Sequence, residues 1–286
     1  MTPLVCIGSI NADYIYRVPH LPQPGETLAA QNLTRMLGGK GANQSIAAAL
    51  AGAQVAHVGA LGTDGGWMRD ALVAKGVSVA SVAVLDGPSG HAIIAVDDQA
   101  ENSILLLAGS NHGLTEAQIT GALVGTPGLI MLQNETNLTA FVAEHAHKLG
   151  WTVIYSAAPF DVAALSQIAP FADVVLLNAV EAAQWQAETT QPVSAIGKQV
   201  IVTKGAEGCV LIESDQQQAF LAPQVSAVDT TGAGDTFAGV FAQGFAAGLS
   251  VVDAIGRAQI AAALQVTRPG TSEAMPTAAE IAGFSG

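Results

Sequence analysis

Asp229-Thr230-Thr231-Gly232-Ala233-Gly234-Asp235-Thr236-Phe237-Ala238-Gly239 is the stretch on which the reading of this chain turns. It runs into an Ala- and Phe-rich segment ending at Leu249 that reads as a buried helix. Small residues just ahead of a helix let its free N–H groups approach an anion closely, and the helix dipole adds a favourable potential there. A carboxylate at that point is unusual. Asp235 would lie beside a bound phosphate, placed to accept a proton from an attacking hydroxyl. An isolated Gly-x-Gly-Asp more often marks a turn and a helix cap, so this segment needs support from the rest of the chain.

Support comes from Gly38-Gly39-Lys40-Gly41-Ala42-Asn43-Gln44, which also enters an Ala-rich helix. Its glycines permit close backbone approach, and Asn43 offers both a donor and an acceptor. Around these two segments, short β-branched runs alternate with Ala-rich stretches. Val5 to Ile10 precedes Ala42 to Ala51, Val55 to Leu61 precedes Trp67 to Lys75, and Leu129 to Leu132 precedes Leu138 to Leu149. Further strands are predicted at Val153 to Tyr155, Val174 to Leu177 and Val200 to Thr203, giving strand–helix alternation throughout and an α/β fold with a mostly parallel sheet. Two segments break the rhythm, residues 12–37 with three prolines and residues 91–107 with two apolar strands around a turn. They are expected to form a small β-sheet lid on a single domain spanning residues 1–286, with no internal repeat or linker.

With 286 residues, half of them apolar and only 12% charged, the chain can bury about three quarters of its unfolded surface without metal or disulfide staples. The 23 acidic against 10 basic residues, a net charge of −13, disfavour nucleic acid and anionic membranes as partners. A phosphate ligand must therefore be held by backbone N–H groups, a helix N-terminus, a metal ion or a few placed cations. The opening Met-Thr-Pro-Leu-Val-Cys runs straight into a strand and does not read as a signal peptide, and no apolar run reaches membrane-spanning length. Cys6 and Cys209, in no metal-binding spacing, suit free buried thiols in the cytoplasm.

The two glycine segments together, one early with a double glycine and Asn, one late with Gly-Ala-Gly-Asp, resemble the paired signatures of the ribokinase-like, PfkB-type carbohydrate kinases over nearly the whole chain. The resemblance implies a ribokinase-like three-layer sandwich with a small lid, and ATP-dependent phosphorylation of the primary hydroxyl of a neutral sugar. Gly8-Ser9-Ile10-Asn11-Ala12-Asp13 is similar to the first strand and turn of the members that convert D-ribose to ribose 5-phosphate. It implies a sugar pocket of Asn11, Asp13, Gly39, Lys40, Asn43 and Glu135, with Asp235 as general base and Gly232, Ala233 and Gly234 supplying the phosphate-stabilising loop. For ATP and Mg²⁺ it implies Asn178 and Glu181, the loop of Thr203, Lys204, Gly205 and Gly208, and Gly234 with Gln259. A potassium site is implied at Asp229, Thr231, Gln265, Arg268, Gly270 and Ala274, and a homodimer through the lids.

Chemistry favours an unphosphorylated substrate, because the first 147 residues carry only Arg17, Arg35, Lys40, Arg69 and Lys75 as permanent cations. Asp, Glu and Asn in a partly dry pocket suit the hydroxyls of a polyol. Two departures stand out. Ser156-Ala157-Ala158-Pro159 replaces the family's usual Asn-Pro-Ala-Pro, and the stretch from Asn178 to Thr203 is short. The alternatives are a kinase for another sugar, sugar acid or nucleoside, or a sugar-binding regulator without catalysis. A dinucleotide oxidoreductase is disfavoured, since no G-x-G-x-x-G follows the first strand.

Overall fold

In chain order the elements are β1 (Leu4–Ile7), β2 (Asn11–Arg17), β3 (Asn32–Gly38), α1 (Lys40–Leu50), β4 (Val55–Leu61), α2 (Gly66–Ala74), β5 (Ser78–Val84), β6 (Gly90–Val96), β7 (Asn102–Leu107) and α3 (Glu116–Ala122). There follow β8 (Leu129–Leu132), α4 (Thr139–Lys148), β9 (Thr152–Ser156), α5 (Val162–Ile168), β10 (Val174–Asn178), α6 (Ala179–Thr189), β11 (Gln199–Thr203), β12 (Cys209–Glu213), β13 (Gln216–Phe220), α7 (Ala233–Ala246), α8 (Val251–Val266) and α9 (Ala278–Ala282). This computed structural model describes residues 2–99, 101–214 and 216–284. Among them, nine strands form one sheet in the order β13-β12-β11-β10-β9-β8-β1-β4-β5, and four form a second in the order β3-β2-β6-β7.

All four residues of β1 are buried because it lies mid-sheet with helices over both faces, as expected of a parallel strand with a continuous apolar run. Its side chains alternate between two cores. Leu4 and Cys6 join the core built with α1, α2, α7 and α8, while Val5 and Ile7 join the one built with α3, α4, α5 and α6. The result is the expected three-layer sandwich.

The approach of α1 to its neighbours is set by glycine. A Cβ on Gly41 would lie 2.6 Å from the carbonyl carbon of Gly8, and one on Gly8 would lie 2.7 Å from the Cα of Gly41. Backbone thus crosses backbone where β1 ends and α1 begins, and Ala42 N–H donates to the Ser9 carbonyl at 2.9 Å. On its other side α1 meets α7, where a Cβ on Gly239 would press on the Gln44 carbonyl and come within 2.7 Å of the Ala47 Cβ.

The two irregular segments form the smaller sheet, within a residue of their expected limits, with β2 antiparallel to β3, parallel to β6, and β6 antiparallel to β7. The first strand stops at Ile7 rather than Ile10, since residues 8–10 turn into the glycine crossing. Alternation of strand and helix also fails at one edge. There β11, β12 and β13 pair antiparallel as successive hairpins with no α-helix between them.

The glycine contacts yield a paired prediction. Gly239→Ala, which forces a methyl against α1 backbone, should destabilise by about 1–3 kcal/mol in urea unfolding despite the better helix propensity of Ala. Gly256→Ala in α8, where a Cβ meets nothing within 4 Å, should stabilise by about 0.5–1 kcal/mol. Equal effects at the two positions would contradict the packing described here.

Candidate active site

In the large sheet β1 lies between β8 and β4, so the chain leaves β1 toward one edge through β4 and β5 and returns on the other side at β8. Open α/β sheets bind ligands outside the carboxyl ends of the strands at such a reversal. Residues 8–10 and 133–135 emerge at this point, and the glycine-rich entry to α1 lies over them.

Asp235 lies in the first turn of α7, whose N-cap Gly232 adopts a left-handed φ of 77°. The first intrahelical bond is Thr236 N–H to the Gly232 carbonyl, leaving the N–H groups of Gly234 and Asp235 without intrahelical acceptors. A Cβ on Gly234 would meet no protein atom within 4 Å, so the glycine keeps space open in the cleft. The Asp235 carboxylate accepts from Asn43 Nδ2 at 3.0 Å and Gln44 Nε2 at 3.1 Å. Desolvation raises its pKa above the ordinary value; Lys40 and the two amides oppose that, and Glu135 adds to it.

An open cleft of about 180 Å³ is lined by Asp235, Lys40, Ser156, Asn178, Glu181, Thr203, Gly232 and Gly234, among others. Burial works against the Lys40 ammonium, but the carboxylates of Asp235, Glu135 and Glu181 outweigh it and its pKa is raised. Asn178 and Glu181 form a capping box on α6, the Asn side chain accepting from Glu181 N–H and the Glu side chain from Asn178 N–H. Burial raises the Glu181 pKa, partly countered by that Asn178 N–H and by Lys40.

The implied sugar residues cluster at the foot of the smaller sheet. Glu135 Oε2 accepts from Lys40 N–H at 3.0 Å and from the Ser9 hydroxyl, and so caps α1 from outside the helix. Asp13, next to Gly38, has its pKa pushed up to about 6 by burial and by the Glu135 charge. Asn11 Oδ1 accepts from Asn111 Nδ2 at 2.7 Å, and Asn111 Oδ1 in turn holds Ile10 N–H. Gly39 takes φ 92°, which a side chain would resist.

The remaining implied residues are held by bonds within the protein. The Gln259 amide donates to the Phe220 carbonyl at 3.0 Å and contacts Cys209 Sγ, tying α8 to β13. Thr203 donates its hydroxyl to Leu177 O, and Lys204, Gly205 and Gly208 make the tight turn between β11 and β12. Asp229 joins two loops, accepting Thr231 N–H at 2.9 Å and Gly270 N–H at 3.0 Å. Partial burial pushes its pKa up, but these backbone bonds prevail and it is lowered. The Gln265 side chain accepts from the Thr236 hydroxyl and donates to the Thr231 carbonyl, whereas its own carbonyl accepts Arg268 N–H. Arg268 pairs with Glu280, and Ala274 N–H bonds Thr271 O. Residues outside the expected set also belong here: Ser9, Gln44, Asn111 and Gln133. Ser9 and Gln44 stood inside quoted motifs, but Asn111 and Gln133 carry no local signal.

Residues 1–278 match the family model of the pfkB family carbohydrate kinases, and the chain belongs to that family: it is a sugar kinase. Among its relatives, the ribokinase of Haemophilus influenzae is 33% identical over 98% of this chain and 97% of its own. That of Lactococcus lactis is 32% identical over 98% and 96%. Two solved structures superpose closely, both 29% identical over 99% of either chain. They are the Cryptococcus neoformans ribokinase in complex with ADP, with a TM-score of 0.88, and the Arabidopsis thaliana ribokinase complexed with ribose and ATP, at 0.87.

Beneath the site, His57 is fully buried, its Nε2 facing the Gly8 carbonyl and its Nδ1 the Ser45 hydroxyl. The carbonyl can only accept, so Nε2 carries the proton. Desolvation lowers its pKa to about 4, although the Gly8 carbonyl opposes this. A neutral buried imidazole contributes stability that is present above pH 6.5 and lost as pH falls toward 4, roughly 3 kcal/mol over that window. The raised carboxyls of Asp13 and Asp235 act in the opposite direction as pH falls, so the loss is read against a variant: in urea unfolding from pH 7 to 4 the wild type should lose stability relative to His57→Gln, and parallel slopes in the two would contradict the assignment.

Proposed function

We propose that this sugar kinase transfers the γ-phosphoryl group of ATP to the primary hydroxyl of D-ribose, giving ribose 5-phosphate and ADP, with Asp235 as the general base. One observation carries this reading: the Asp235 carboxylate, held by two amides, sits in the same helix turn as the N–H groups of Gly234 and Asp235 that can cradle a phosphate. The ribokinase relatives, one of them solved with ribose and ATP, support ribose and ATP as the substrates.

In this mechanism Asn11, Asp13, Gly39, Lys40, Asn43 and Glu135 bind the sugar beneath the smaller sheet, which serves as the lid of a single domain. The Asn43 Oδ1, buried and without a partner, suits a sugar hydroxyl donor. Oxygen O5 attacks the γ-phosphorus in line, the bond to the β–γ bridging oxygen breaks, and Asp235 takes the hydroxyl proton. The N–H groups of the Gly232-Ala233-Gly234 turn and Lys40 stabilise charge on the transferring group. Asn178, Glu181 and the loop from Thr203 to Gly208 flank the nucleotide; Gln259 acts through that edge of the sheet.

Among the described residues there is no cluster of three or more metal-ligating side chains. That fits Mg²⁺, which is commonly held by one or two carboxylates together with substrate phosphates and water. Glu181 and Asn178 would hold it, and when bound it neutralises charge on the phosphates. Potassium suits the loops joined by Asp229, where Thr231 meets the segment with Gln265, Arg268, Gly270 and Ala274, because carbonyl and carboxylate oxygens replace its hydration shell. The strand β7 exposes Ile104, Leu105, Leu106 and Leu107, a sheet edge that a second copy would cover, so we place a homodimer contact there. Two buried free thiols suit a cytoplasmic protein.

ADP release with Mg-ATP and KCl should be fastest on ribose when compared with deoxyribose, fructose, sugar acids and nucleosides, and Asp235→Asn should lower turnover at least ~10²-fold. Faster turnover of another sugar would replace ribose; retained turnover in the variant would remove the base assignment. Because Asp13 titrates near 6 and binds hydroxyls best as a carboxylate, the ribose KM should rise below about pH 6. Asp13→Asn should raise KM at pH 8 and abolish that rise.

A further inference from the structure

Each oxygen of the Asp235 carboxylate receives one amide N–H, and the two amides are supported differently. Asn43 Nδ2 donates to Oδ2 at 3.0 Å, while its own Oδ1 is buried with no partner. Gln44 Nε2 donates to Oδ1 at 3.1 Å and is held from behind, for its Oε1 accepts from Gln133 Nε2 at 2.7 Å. Gln133 is 1% exposed, rises from the end of β8 and also directs its Nε2 at Cys6 Sγ, 3.6 Å away. Its Oε1 is buried with no partner, lying where a Cβ on Gly8 would stand. A buried acceptor left unpaired is costly, so this orientation is retained against a local penalty.

The chain of amides has a direction. A carboxylate only accepts, so Gln44 must turn its NH₂ to Asp235 and its oxygen to Gln133, which must then present its own NH₂. Protonated Asp235 would need the reverse order to donate its proton to Gln44. We propose that Gln44 and Gln133 are positioning residues for phosphoryl transfer: the polarised row Gln133 to Gln44 to Asp235 fixes the carboxylate rotamer and favours its ionised, proton-accepting form. This rests on Asp235 being the base. Removing an N–H donor from a carboxylate raises its pKa, so less of it is ionised at a given pH. The other groups facing Asp235 are Lys40 from α1, Glu135 from the loop after β8, Glu181 beyond Lys40, and the Cys6 thiol from β1; the variants below leave all of them in place.

The test compares wild type, Gln44→Met, Gln133→Met, Gln44→Glu and Asp235→Asn by ADP release on ribose from pH 5 to 9, with thermal melting of each. Met approximates the volume of Gln without its amide. We expect Gln44→Met to lower kcat about tenfold or more, with ribose KM within about twofold, and to move the acid limb of kcat/KM upward by about one pH unit. Gln133→Met should shift both in the same direction by less. Gln44→Glu, which sets a like charge beside Asp235, should move the limb further. Unchanged kcat and unchanged limb in folded Gln44→Met and Gln133→Met, with Asp235→Asn inactive, would overturn the proposal and leave the base intact. An active Asp235→Asn would instead overturn the base itself. Should Gln44→Met fail to melt cooperatively, Gln133→Met alone decides.

Discussion

Everything at the cleft depends on how closely three backbone segments meet. Gly8 and Gly41 cross with no room for a Cβ on either, and Gly239 sets α7 against the backbone of α1. Those contacts bring the end of β1, the start of α1 and the start of α7 to one point, so that residues 192 and 191 positions apart can bond: Asn43 and Gln44 to Asp235. Side chains at the three glycines would move α1 away and leave Asp235 to water. The glycines therefore set the position of the Asp235 carboxylate, although none offers a functional group.

Electrostatics follow from that packing. A chain with net charge −13 that handles a polyphosphate must hold it without a basic cradle, and the first turn of α7 supplies N–H groups and a helix dipole at the cleft. Lys40 stands among the carboxylates of Asp235, Glu135 and Glu181, which keep it charged despite burial. In the proposed mechanism the acids accept hydrogen bonds from the sugar hydroxyls. Burial raises Asp13 and Asp235 above ordinary carboxylates, making them stronger proton acceptors while still ionised near neutral pH in the case of Asp13, at about 6.

The sequence was informative where local chemistry constrains residue type. Glycines at 39 and 232 take left-handed backbone, and Gly-rich entries to apolar helices announce both of these loops. The smaller sheet was legible because its strands are separated by prolines and turns outside the parallel rhythm. The outermost strand of the hairpin edge was not. Gln216 to Phe220 reads Gln-Gln-Gln-Ala-Phe, a polar strand with no apolar alternation, and only its pairing with β12 makes it a strand. Gln133 and Asn111 were also hidden, since their partners lie 89 and 100 residues away in the chain and a lone buried amide carries no pattern. Gln259, implied at the nucleotide by resemblance, donates its amide to the Phe220 carbonyl.

The most direct measurement is a crystal structure with ribose and a non-hydrolysable ATP analogue bound together. The account predicts the primary hydroxyl of ribose within hydrogen-bond reach of Asp235, about 2.6–3.2 Å, and in line with the γ-phosphorus, with the γ-phosphate on the N–H groups at the start of α7. A sugar whose primary hydroxyl points away from Asp235, or a γ-phosphate held elsewhere in the cleft, would contradict it.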